Sequence, residues 1–256
     1  MKSFPNRYIF DISKYTDMET TILHKAQTRG YADHGWLKSY HTFSFAQYQN
    51  PDRMNFGVLR VLNDDTVAAG MGFGAHPHDN MEIISIPLEG DLKHKDSIGN
   101  ETVIKNGDIQ VMSAGTGVTH SEYNNNTDRE VKFLQIWIFP NKQNVSPRYD
   151  QITLQDEDRY NKFQQIISPN PDDAGVWINQ NAWFHIAKFD AGVSQEYHIR
   201  KNGNGLYVFV LSGEITVDGQ LLEARDGLGI PSFETIAIEA VTSTEFLLME
   251  VPMKNN

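Results

Sequence analysis

Apolar residues come in short runs, each closed by turn chemistry. Phe56–Leu62, Met81–Leu88, Thr102–Ile104, Ile109–Met112 and Val131–Phe139 are rich in β-branched and aromatic residues. Between them stand Asn63-Asp64-Asp65, Glu89-Gly90, Ile98-Gly99-Asn100 and Asn106-Gly107-Asp108, the residues that favour turns. No long stretch has helical periodicity. Turns spaced by about ten residues predict an all-β sandwich or barrel. The C-terminal half repeats the theme in Leu206–Leu211, Glu214–Val217, Gly229–Pro231, Ile236–Ile238 and Phe246–Val251. In each half an apolar strand closes on a glycine (Glu82 to Gly90, Gly205 to Gly213). A hairpin follows, then a Gly/Asp turn (Asn106-Gly107-Asp108, Asp226-Gly227). This weak internal repeat predicts two similar β-domains. The joint falls in the polar stretch Asn141 to Tyr160, where a short helix is expected.

Composition narrows the function. The 256 residues are enough for two small domains. They include no cysteine, which excludes disulfides, thiolate metal sites and Cys nucleophiles. The 22 Lys and Arg against 33 Asp and Glu give a net charge of −11. That balance opposes binding to nucleic acid or anionic lipid, which want a basic face. No apolar run approaches the ~18 residues of a membrane span, and Met1 to Lys25 lacks the apolar core of a secretory signal. A cytoplasmic location is expected.

Nine histidines carry the candidate chemistry: His24, His34, His41, His76, His78, His94, His120, His185 and His198. His76-Pro77-His78 and His120-Ser121-Glu122 each follow a glycine-rich lead-in. On a strand, positions two apart face the same way. Two such pairs on neighbouring strands bring ligands together as a metal requires. Glu82 shares the parity of His76 and His78, so periodicity leaves open which carboxylate binds. His34 and His41 read as structural hydrogen-bonding groups. His24 and His94, in polar surroundings, read as surface residues. His185 lies in an apolar strand and reads as core. His198 has no partner two residues away, so no second ligand pair forms.

These motifs identify a family resemblance. Gly-Phe-Gly-Ala-His-Pro-His (72–78), Met-Glu-Ile (81–83), Leu-Glu-Gly (88–90), His-Lys-Asp-Ser-Ile-Gly-Asn (94–100) and Ser-Ala-Gly-Thr-Gly-Val-Thr-His-Ser-Glu (113–122) resemble the pirin family of bicupins. So do Ala-Asp-His-Gly-Trp-Leu (32–37), His-Thr-Phe-Ser-Phe (41–45), Gln-Ile-Trp-Ile (135–138) and Pro-Arg-Tyr (147–149). The chain looks most like bacterial pirin-like quercetin 2,3-dioxygenases. The resemblance implies an all-β bicupin with two tandem cupin-type β-barrels. Residues 22–145 would form the N-terminal metal-binding domain and 146–256 a C-terminal domain without metal. Residues 1–21 would be an extension.

It further implies that His76, His78, His120 and Glu122 hold one divalent transition metal. Fe(II) is first in expectation, with Mn, Ni, Cu or Zn also suited to imidazole and carboxylate. Glu122 would be the base, and Glu82 would orient an imidazole. Phe43, Phe45, Phe73 and Tyr123 would line the mouth, although packing is the blander role for each. The implied activity is opening of a flavonol heterocycle with O2. Eukaryotic pirins are associated with transcriptional regulation, so the alternative is a metal-responsive module with a protein partner.

Overall fold

The computed structural model describes residues 21–254. The extension expected over residues 1–21 lies outside them except for Thr21. Two pairs of sheets form two jelly rolls. In the first, a seven-stranded sheet runs, edge to edge, Arg148–Thr153, Asp108–Ser113, Glu82–Glu89, Val131–Ile138, Leu59–Val67, Leu37–His41, Gly30–Asp33. Facing it is a four-stranded sheet of Gly72–His78, Val118–Asn124, Leu92–Asp96 and Glu101–Ile104. The second jelly roll repeats this plan. Its large sheet runs Ile22–His24, Gly227–Ile230, Asn204–Ser212, Thr244–Pro252, Trp183–Phe189, Gln164–Ser168, Val176–Trp177. Its small sheet is Ser194–His198, Thr235–Ala240, Glu214–Val217 and Gln220–Glu223. Neither pair closes into one hydrogen-bonded barrel. Asp156–Arg159 supplies the short helix expected at the joint. No helix among the described residues is long and apolar enough to cross a membrane.

The edge strands cross the expected division at 145/146. Arg148–Thr153 pairs with Asp108–Ser113 of the first large sheet, while Ile22–His24 pairs with Gly227–Gly229 of the second. Each jelly roll thus completes its sheet with a strand from beyond the cut. The two large sheets pack on each other. Leu62, Ile84 and Ile136 of one share a cluster with Phe184, Phe209 and Leu247 of the other. The second jelly roll is filled by aliphatic and aromatic side chains, among them Val208, Ile215, Ile238 and Phe246. In the first, smaller clusters around Phe133 and Met112 leave a polar interior between them.

Three expectations change with burial. Asn63-Asp64-Asp65 is no turn; it lies in Leu59–Val67. Side-chain partners hold this polar triplet in the sheet. Asn63 Oδ1 lies 3.0 Å from His41 Nδ1, Asp65 accepts from the Ser39 hydroxyl, and Asp64 pairs with Arg29 at 3.2 Å. His24 is not on the surface: its Nδ1 lies 2.8 Å from the Tyr207 hydroxyl, and it is 6% exposed. His94 is fully buried, because Lys93 and Lys95 take the outer face of its strand. The core placement of His185 holds, at 1% exposure.

Buried neutral imidazoles give the metal-free protein a pH signature. Burial, then Arg53, lowers His24 from the ordinary 6.5 to about 4. Burial, then Arg200, lowers His185 to about 3. Between those values and 6.5 the unfolded chain binds more protons than the folded one. Stability is therefore full above about pH 6.5 and falls as pH drops towards 4. Tm measured against pH should decline over that window. In His24→Gln, whose amide can still bond Tyr207, the decline should be shallower by one titrating group. An identical slope in the variant would show that His24 does not contribute.

Candidate metal centre

The register brings the two motifs side by side. His120 in Val118–Asn124 pairs with His76 in Gly72–His78 on one side and with Asp96 in Leu92–Asp96 on the other. A register shift between His120 and Glu122 sets Glu122 opposite Phe73 and next to His94. Such a bulge re-aims the side chain that follows it. The rings of His76, His78 and His120 converge with centroid separations of 4.5 to 4.9 Å. One ligand-competent nitrogen from each falls within 4.8 Å of the others. His94, His120 and Glu122 form a second such group, deeper and fully buried. His120 belongs to both.

The donor set fits a metal on the pattern of unmet hydrogen bonds. His76 Nδ1 lies 2.8 Å from the Gly74 carbonyl oxygen. A carbonyl only accepts, so the ring donates there and keeps its Nε2 lone pair free. His78 Nε2 is buried without a partner, as are both nitrogens of His120. Burial, then neighbouring His76, holds His78 down to about 4, and His120 is held lower still by burial and then by His76 and His78. These two rings are neutral at physiological pH, the form that ligates. Orphaned buried nitrogens are rare in native proteins. Three imidazoles with a carboxylate beside them suit one first-row transition metal.

Glu122 is 2% exposed. Its Oε1 accepts from Ser85 Oγ at 2.9 Å and its Oε2 from Gln135 Nε2 at 2.8 Å. Burial outweighs these bonds and pushes its pKa up to about 7. Asp65 is likewise raised to about 7 by burial. Both carboxyls face a cavity of about 650 Å³ that opens beside His76 and His78. Its walls include Phe45, Phe73, Trp137 and Tyr48, with His41 and Gln135 as polar points. Trp137 packs edge-on against Phe45 at 5.4 Å and against His78 at 5.0 Å.

Comparison with known proteins agrees with this geometry. A family profile described as Pirin matches residues 23–138, and one described as Quercetinase C-terminal cupin domain matches residues 165–251. An Escherichia coli protein named quercetin 2,3-dioxygenase is 40% identical over 233 residues, covering 90% of this chain and 98% of its own. The chain belongs to the pirin family. A pirin-like protein of Caulobacter vibrioides is 40% identical over 222 residues, 86% of this chain and 95% of its own. The crystal structure of the bacterial pirin YhhW from E. coli in complex with nickel(II) superimposes with a TM-score of 0.86. It is 38% identical and covers 91% of this chain and 99% of that one.

Several expected site residues sit elsewhere in this pirin. Phe45 and Phe73 do line the cavity. Phe43 does not: it is 1% exposed and packs against His24 and Tyr207 in the core between the sheets. Tyr123 is 41% exposed, on the outer face opposite to Glu122. Glu82 contacts no imidazole. Its carboxylate accepts from Ser113 Oγ at 2.6 Å and from Asn179 Nδ2 at 3.1 Å, tying the loop before Trp183–Phe189 to the first large sheet. Glu82 does not share a face with His76 and His78, because Asn80, at a φ of 45°, breaks the strand and the chain changes sheets. His34 is exposed at the cavity rim, and His41 makes the structural bond expected of it.

His94 and Asp96 are the residues that sequence reasoning missed. His94 Nε2 lies 3.1 Å from Asp96 Oδ2. Asp96 also accepts from Ile98 N, Asn100 N and Asn100 Nδ2 at 2.8 to 3.0 Å. The other ring nitrogen, Nδ1, is buried without a partner beside His120. The signal was present: His94-Lys-Asp96 has the same period of two as His76-Pro77-His78. Ser85, Gln135 and Asp65 had no comparable pattern.

Proposed function

We propose that the chain is a metal-dependent dioxygenase of the pirin type, opening the heterocycle of flavonols such as quercetin with O2. The observation that carries this reading is the junction of an aromatic-walled cavity with converging unpartnered imidazoles and a buried carboxylate. A cavity of about 650 Å³ is in the range that takes a planar three-ring phenol. His76, His78, His120 and Glu122 would hold one divalent metal, with Fe(II) the first expectation and Mn, Ni, Cu or Zn compatible with the same donors. Bound there, a metal would supply Lewis acidity for a phenolic oxygen.

The chain's own residues do the rest. Phe45, Phe73 and Trp137 hold the flat substrate by its faces and edges. They also exclude water. Glu122, deprotonated when it ligates, takes the proton of the reacting hydroxyl at a carboxylate oxygen. Gln135 and Ser85 aim that carboxylate. The name of the E. coli relative and the nickel(II) complex support the reading.

The test is oxygen uptake by metal-reconstituted protein across a panel of phenols, with free metal as control. Flavonols should give metal-dependent uptake, and phenols lacking the 3-hydroxyl should not. Full metal occupancy with no uptake from any flavonol would refute the dioxygenase and favour the metal-responsive binding module.

A further inference from the structure

The second jelly roll has a cavity of its own, of about 440 Å³. It involves the small-sheet strand Ser194–His198 and the large-sheet strand Trp183–Phe189. By position in their sheets these correspond to Gly72–His78 and Leu59–Val67 of the first jelly roll. The parity is reversed, however. Tyr197 turns inward, while the side chains of His198 and Glu196 are 69% and 66% exposed. Metal ligands are thereby lost, and an aromatic wall of Phe163 and Tyr197 takes their place.

The polar groups of this cavity point to an acceptor ligand. Arg200 Nη2 lies 3.4 Å from His185 Nε2. A guanidinium only donates, so this ring nitrogen accepts. The proton of neutral His185 then sits on Nδ1, which is buried with no partner. The Arg200 side chain also bonds the Tyr197 hydroxyl, and it makes no ion pair with a carboxylate among the described residues. Glu250, the nearest buried acid, is already saturated. It accepts from the Tyr197 hydroxyl, the backbone N–H groups of Arg200 and Lys201, and Asn204 Nδ2, all at 2.9 to 3.0 Å. The cavity therefore combines a cation without a carboxylate partner and flat apolar walls.

We propose that this cavity binds a small aromatic carboxylate, its carboxylate on the Arg200 guanidinium and its ring against Phe163 and Tyr197. Charge-assisted pairing with Arg supplies the orientation, and the aromatic walls supply the apolar contact. Glu196 at the mouth opposes the anion. The site stands apart from the metal centre and does not depend on the proposed oxygenase activity.

Benzoate is the probe, titrated into the metal-loaded protein by calorimetry and followed by ring ¹⁵N shifts of His185. Saturable binding should shift those resonances. Arg200→Gln, at an exposed position, should weaken binding by about tenfold or more, as loss of a charged hydrogen bond does. Glu196→Gln should tighten it. Removing the metal should leave this binding in place, which separates it from any benzoate at the metal. Benzamide and inorganic phosphate should each bind at least about tenfold more weakly, lacking charge or ring. Absence of saturable binding, or binding indifferent to Arg200→Gln, would overturn the proposal. Phosphate binding as tightly as benzoate would overturn its aromatic part.

Discussion

Glu122→Gln is expected to lower flavonol-dependent oxygen uptake by ~10²-fold or more, the usual loss when a general base is removed. It keeps the size of the side chain and its contact with Gln135 or Ser85, so the fold should persist. Metal should bind more weakly, because an anionic donor becomes neutral. The pH profile separates the roles. Burial raises the Glu122 carboxyl to about 7, so in the metal-free protein it is substantially protonated at neutral pH and must lose that proton to ligate. Metal affinity should fall as pH drops through about 7, above the 6.5 expected from ordinary histidines. His78 and His120, already held neutral by burial, do not set this threshold. In Glu122→Gln the step near pH 7 should vanish.

Glu82→Gln is the matched control. Glu82 bonds Ser113 and Asn179, not an imidazole. It should keep its metal, with an effect on activity below the ~10–100-fold seen for residues that orient a ligand. Excess metal in both assays distinguishes occupancy from chemistry. If Glu82→Gln loses the metal while Glu122→Gln keeps metal and activity, the ligand assignment is wrong.

His120→Ala is expected to abolish metal binding. This ring stands at the centre of both ligand groups, 4.5 Å from His76, 4.9 Å from His78 and 5.4 Å from His94. Without it the outer group keeps only His76 and His78 and the deeper one only His94 and Glu122, and among the described residues His120 is the one ring that links Glu122 to the outer pair. Affinity should fall by more than the ~100-fold upper range for outer partners. Wild-type Tm should rise when metal is added, since a ligand that binds only the folded state stabilises it. The variant's Tm should not respond. Its metal-free stability should change less than for a typical core deletion, because two unmet buried nitrogens are removed along with the packing they provide. Elemental analysis and melting curves with and without metal check both statements. Stoichiometric metal in the variant would place the site elsewhere.

The strands, the repeat and the His-x-His and His-x-Glu pairs were legible in the sequence because they are local. Alternation with period two assigns a face within one strand, and turn residues mark where it ends. That sufficed to bring His76, His78 and His120 together once their strands were neighbours, while Glu122 falls in the group of His94 and His120 beside them. What the sequence left undetermined was set by partners far along the chain. Glu82 kept its parity on paper but lost it at Asn80, where the backbone turns left-handed and enters another sheet. Asn63, Asp64 and Asp65 look like a turn until His41, Ser39 and Arg29 satisfy them within a strand. His24 and His94 have polar neighbours in sequence, yet each faces a core built by residues far from it. The exchange of edge strands Ile22–His24 and Arg148–Thr153 is likewise non-local. Periodicity gives each side chain a direction. Only tertiary packing decides whether that direction leads to water, to a hydrogen-bond partner or to a metal, because burial depends on which distant surface closes over it.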